Sequence, residues 1–121
     1  DKAIDYYSQA IDLDPGKAML YSNRAACWAT MGEHEKALVD ADKCLECDPK
    51  FVKGHSRRGR ALFDLERLEE AEEAYKNGLA LDAVHEACLK GLQDIEEKRP
   101  TPPKRGLLSR IRSLPIPGPS D

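Results

Sequence analysis

Long apolar runs are missing from this sequence. No stretch of ~18 apolar residues occurs, so no membrane-spanning helix is expected. A signal-peptide pattern is missing as well. Only three histidines are present, His34, His55 and His85, each on a different expected element. That is too few to complete a four-ligand zinc site around any cysteine pair. Four cysteines in a chain rich in helix formers and poor in loops do not make a disulfide scaffold. Reduced thiols are expected, and with them a cytoplasmic or nuclear setting. There is no Ser/His/Asp arrangement, phosphate loop or paired-carboxylate site, so neither an enzyme nor a cofactor is expected. Positive charge is also short. Residues 1–98 hold 14 Lys and Arg against 21 Asp and Glu, a net of −7. Nucleic acid is a poor partner for such a body, because phosphate binding needs a cationic face.

What is there is a repeat with a period of 34 residues. Ala3, Ala37 and Ala71 are in register, as are Ile11, Leu45 and Leu79, and Asp14, Asp48 and Asp82. Pro15 and Pro49 follow the first two aspartates. Ser22 aligns with Ser56, Arg24 with Arg58, and Tyr21 with His55. Each unit reads as two helices, near 18–30 and 35–47, then near 52–64 and 69–81. Gly32 supplies the turn inside one unit. Asp48-Pro49 ends it, because a residue before proline is pushed out of the helical region. Ala37, Ala41, Ala71 and Ala74 are small enough to let neighbouring helices approach closely.

Period, turn and proline position resemble the tetratricopeptide repeat. The resemblance implies an all-α fold, a right-handed superhelical solenoid of helical hairpins. A generic helical bundle is the rival, but it needs no fixed 34-residue register. The expected layout is a half repeat at 1–15, repeats at 18–51 and 52–83, and a capping helix at 84–98. Val84, Cys88, Leu92 and Ile95 form the apolar stripe of that cap. The chain opens at Asp1 inside an apolar-periodic segment, which reads as an N-terminally truncated piece of a longer protein. Residues 99–121 are Pro-rich and carry five basic residues against one acid. They lack the apolar content to fold alone and read as a disordered tail.

Stacked hairpins create a concave groove lined by the first helix of each unit. On one such helix, Lys53, Arg57 and Arg60 fall at i, i+4 and i+7, which puts three cations on one face. The equivalent stripe one unit earlier is Met19, Asn23, Ala26 and Thr30. An extended anionic peptide suits this pairing, with carboxylates held by charge-assisted bonds. A solvated helix face is the plainer alternative.

Tyr21-Ser22-Asn23-Arg24-Ala25-Ala26 and Lys53-Gly54-His55-Ser56-Arg57 resemble the chaperone-binding subclass of tetratricopeptide domains found in Hsp-organising co-chaperones. In that subclass a carboxylate clamp grips the C-terminal Glu-Glu-Val-Asp of the large heat-shock chaperones. The resemblance implies that Asn23, Lys53 and Arg57 are three of five clamp residues, and that Ala26 and Ala29 receive an apolar side chain of the peptide. The other two, a Lys and an Asn, belong to a first helix absent from this segment, so weak binding by the segment and tighter binding by its parent are expected. The implied partners are chaperones of the Hsp70 and Hsp90 type. The alternatives are a general scaffold for another protein, or a binding domain appended to an enzyme outside this segment.

Other signals are weaker. Cys44 and Cys47 have redox-motif spacing, but they lie at a helix C-terminus, where no dipole stabilises a thiolate. Packing is the expected role of Cys44. His34 reads as a solvated turn residue. In the tail, Arg110-Ile111-Arg112-Ser113-Leu114-Pro115 makes Ser113 a candidate phosphosite and 14-3-3 ligand. Leu107, Leu108, Ile111 and Leu114 alternatively read as a basic amphipathic segment for a membrane surface or partner.

Overall fold

A computed structural model describes residues 1–99 and shows six helices. They are α1 (Lys2–Leu13), α2 (Ala18–Thr30), α3 (His34–Cys47), α4 (Val52–Asp64), α5 (Leu68–Leu81) and α6 (Glu86–Lys98). The candidate phosphosite Ser113, its 14-3-3 reading and the tail's expected disorder lie outside the described residues.

The helix ends follow from the repeated residues. Asp48 and Asp82 sit just past α3 and α5 in extended conformations. Each carboxylate then accepts a hydrogen bond from the backbone N–H two residues on. Lys50 N donates to Asp48 Oδ1 at 3.0 Å, and Val84 N to Asp82 Oδ1 at 3.2 Å. This local bond favours a turn over another helical step. It also explains why α6 begins at Glu86 and not at Val84. Val84 is consumed by the Asp82 turn and is 76% exposed, so it leaves the apolar stripe expected of it. Cys88 and Ile95 keep their places, both buried.

Inside the two full hairpins the turns are equivalent. Glu33 N donates to Trp28 O and Arg67 N to Leu62 O, both at 2.9 Å. The residue before each donor is left-handed: Gly32 at φ 81° and Glu66 at φ 65°. Glycine adopts that conformation freely, and glutamate does so under strain.

Packing produces the curvature. The backbones of α2, α4 and α6 approach one another in sequence, whereas those of α1, α3 and α5 stay farther apart. One layer is therefore drawn together and the other splays, which leaves a concave face on α2, α4 and α6. Ala37, Ala41, Ala71 and Ala74 are all buried, as close helix approach requires. One core joins Leu62, Tyr75, Cys88 and Ile95; another joins Ile11, Leu20, Tyr21 and Cys44.

A buried ion pair braces the first full hairpin. Asp40 is 2% exposed and accepts from Arg24 Nε at 2.7 Å, Arg24 Nη2 at 2.9 Å and Trp28 Nε1 at 2.9 Å. Arg24 also donates to Ser8 Oγ of α1. One repeat on, Arg58 donates to Asp42, the residue in register with Ser8. His34 is not a free turn residue. It opens α3, and its Nδ1 lies 3.4 Å from Asp64 Oδ2.

Candidate functional site

The concave face holds two cavities, one after the other along α2, α4 and α6. The first has a volume of about 580 Å³ and is lined by Met19, Asn23, Phe51, Val52, Lys53 and His85. The second, of about 350 Å³, has Ala26, Ala29 and Thr30 on one wall and Arg57 and Arg60 on the next. Ala87, Lys90, Gly91 and Asp94 of α6 form its third wall, and Tyr75 of α5 also lines it. All eight residues singled out from the sequence therefore line one or the other cavity. Asn23 and Lys53 share the first, while Arg57 and Arg60 share the second.

The cations differ in what they are doing. Arg60 Nε is held at 2.8 Å by Asp64 Oδ2, one turn along the same helix. That hydrogen bond raises the guanidinium's pKa and places a counter-charge beside it. Lys90 is likewise held by Asp94, at 2.6 Å. Lys53 and Arg57 have no ion pair among the described residues. Arg57 Nε is buried and has no hydrogen-bond partner among them. A buried N–H without an acceptor costs about 1–3 kcal/mol, and more in a charged group. Arg24 and Arg58 on the neighbouring faces are both paired.

Tyr75 shapes the second cavity. Its ring lies between Gly59 of α4 and Gly91 of α6. A methyl group on Gly59 would come within 2.6 Å of Tyr75 Cε1, and one on Gly91 would also collide with the ring. Burial raises the phenol's pKa, so Tyr75 faces the groove as a neutral hydroxyl.

The contribution of α6 was not foreseen from the sequence, although the register contained it. Ala87, Gly91 and Asp94 stand 34 residues after Lys53, Arg57 and Arg60. The last helix thus takes the groove-lining place of a further repeat as well as capping the core. His55, in register with Tyr21, is half-buried, with Nε2 at 2.9 Å from Pro49 O.

The cysteines are all free. Cys44 is completely buried, and burial pushes its thiol up to about 11. It is a packing residue, as its position in the repeat predicts. Among the described residues, no helix is long and apolar enough to cross a membrane.

An all-helical stack of hairpins with a partly cationic inner groove defines a repeat-type binding domain. The tetratricopeptide repeat model matches residues 52–83. A solved structure described as the first TPR of Spaghetti (RPAP3) bound to HSP90 peptide SRMEEVD is 32% identical, with a TM-score of 0.77. That match covers 80% of this chain and 79% of the other. The Aspergillus fumigatus Sgt2 TPR domain is 34% identical over 98% of this chain and 75% of its own, with a TM-score of 0.73. The chain belongs to the tetratricopeptide-repeat family. Among curated relatives, the heat shock protein sti1 homolog of Schizosaccharomyces pombe is 48% identical over 94 residues, 78% of this chain. The chain spans only 16% of that relative's length.

Proposed function

We propose that this domain captures the acidic C-terminal peptide of a heat-shock chaperone, with Asn23, Lys53 and Arg57 holding its carboxylates. The observation that carries the reading is Arg57, a guanidinium at the groove wall with no ion pair among the described residues. A carboxylate supplies the missing counter-charge through a charge-assisted bond. Lys53, one turn earlier, adds a second unpaired cation, and Asn23 of α2 lines the same cavity as Lys53. Likeness to a domain solved with the HSP90 peptide SRMEEVD supports the same ligand class. Ala26 and Ala29 leave room for an apolar side chain beside Arg57. The domain then acts as a scaffold in the cytosol and carries no chemistry of its own.

Calorimetry with SRMEEVD tests this. The free acid should bind, and its C-terminal amide should bind at least tenfold more weakly, because one charge-assisted hydrogen bond is worth about 1.5–3 kcal/mol. Lys53→Glu and Arg57→Glu should each abolish measurable binding. Equal affinity for acid and amide would remove the clamp and leave a scaffold that recognises another surface.

A further inference from the structure

His85 lies outside the three-residue clamp, yet it lines the same cavity as Asn23 and Lys53. It is the residue immediately before α6, and its backbone carbonyl accepts from Leu89 N at 3.1 Å, inside the first turn. The side chain does not cap its own helix. The ring is half-buried, and Nδ1 is the buried edge, with no hydrogen-bond partner among the described residues. A neutral imidazole carries its proton on one nitrogen only. A proton on Nδ1 would bury an N–H without an acceptor, whereas a proton on Nε2 buries only a lone pair. Orphaned donors are rarer than orphaned acceptors, so the favoured tautomer puts the N–H on Nε2.

We propose that His85 is a further specificity-determining residue of the groove, donating from Nε2 to the side-chain carboxylate of the peptide's last residue. The inference rests on the peptide reading above. It gives a physical role to the cavity's extent beyond Lys53: a C-terminal Asp presents two carboxylates, and the unpaired groups lie in two successive cavities. Arg57 lines one, and Lys53 and His85 line the other. Peptides ending in a residue without a side-chain acceptor lose the His85 bond.

A double-mutant cycle by calorimetry tests the assignment with SRMEEVD and the same peptide ending in Ala. His85→Ala should weaken binding of SRMEEVD about tenfold, the lower end for a hydrogen bond to a charged group. It should leave the Ala-ended peptide unchanged. His85→Gln, whose amide nitrogen reaches the position of Nε2, should recover most of the affinity; His85→Asn, which mimics Nδ1, should not. Thermal melts of all three variants separate this from loosening of α6. An H85A protein that binds both peptides as the wild type does, while Lys53→Ala and Arg57→Ala weaken binding, would overturn the role of His85 alone. If neither of those two substitutions weakens binding, the peptide reading fails and the His85 assignment with it.

Discussion

Tyr21 and His55 stand one repeat apart and make the same contact. Tyr21 Oη donates to the Pro15 carbonyl at 2.9 Å. His55 Nε2 lies 2.9 Å from the Pro49 carbonyl, which only accepts, so the imidazole carries its proton on Nε2. Both rings pin the inter-repeat proline loop to the helix that follows it. Tyr21→Phe should therefore cost about 1 kcal/mol, the net worth of one hydrogen bond, in urea unfolding. His55→Tyr should fold normally, because a tyrosine already fills the equivalent place.

The strained turn offers a matched pair of tests. Glu66 occupies the left-handed position that Gly32 takes one repeat earlier. Glu66→Gly should be more stable than Glu66→Ala by about 1 kcal/mol, since both lose the exposed ion pair with Lys98 and only one relieves the backbone. Gly32→Ala should lose a similar amount. Denaturation midpoints of the three variants decide it.

Gly91→Ala should cost about 1–3 kcal/mol, the usual penalty for overpacking, because the added methyl collides with the Tyr75 ring. Adding Tyr75→Leu should recover part of the loss. Thermal unfolding of the single and double variants reads both effects, and full stability of G91A alone would contradict the packing described.

Asp40→Ala should cost about 3 kcal/mol, because it leaves Arg24 and Trp28 without their acceptor in a mostly buried site. Replacing Arg24 by Met in the same protein should restore much of the stability. The cycle is measurable by chemical denaturation.

Thiol alkylation at pH 8 should label Cys47 first, since it alone is exposed, with Cys27 slower. With its thiol at about 11, Cys44 is about one part in a thousand thiolate at that pH and is sheltered besides. Cys88, also raised by burial, should behave similarly. Both should react only when the protein unfolds, as mass spectrometry of native and denatured samples will show. Raising the pH towards 11 increases the thiolate fraction of Cys44 but not its access.

Much of this molecule was legible because its punctuation repeats. Asp48 and Asp82 end helices through bonds two residues long, and Lys53, Arg57 and Arg60 share a face through helical spacing alone. Both relationships are local, so the sequence displays them. The Asp40–Arg24 pair joins residues 16 apart on different helices. On paper each is one more helix charge, and only packing decides that Asp40 is buried. Glu66 hides for a different reason. Glutamate signals no turn, and its conformation is imposed by the hairpin that Gly32 shows in the preceding repeat. Val84 was misplaced because an apolar residue at helical spacing reads as part of the stripe, while the Asp82 turn that claims it is a competing backbone preference. His85 and Gly91 are hidden by the amphipathic pattern of α6, whose apolar stripe reads as core packing and leaves the opposite face as solvated surface.

The placement of α6 couples two properties usually studied separately. The helix seals the core around Leu62 and Tyr75 through Cys88 and Ile95, and the same segment faces the groove through His85, Gly91 and Asp94. A ligand held on that face can bind only while α6 is docked, so its free energy of binding adds to the free energy of docking. Amide protons of α6 should therefore exchange with solvent more slowly when the groove is filled, even at positions the ligand never touches. Conversely, a substitution on the hidden side of α6 that lets the helix open should weaken the ligand by the factor by which it lowers the docked population.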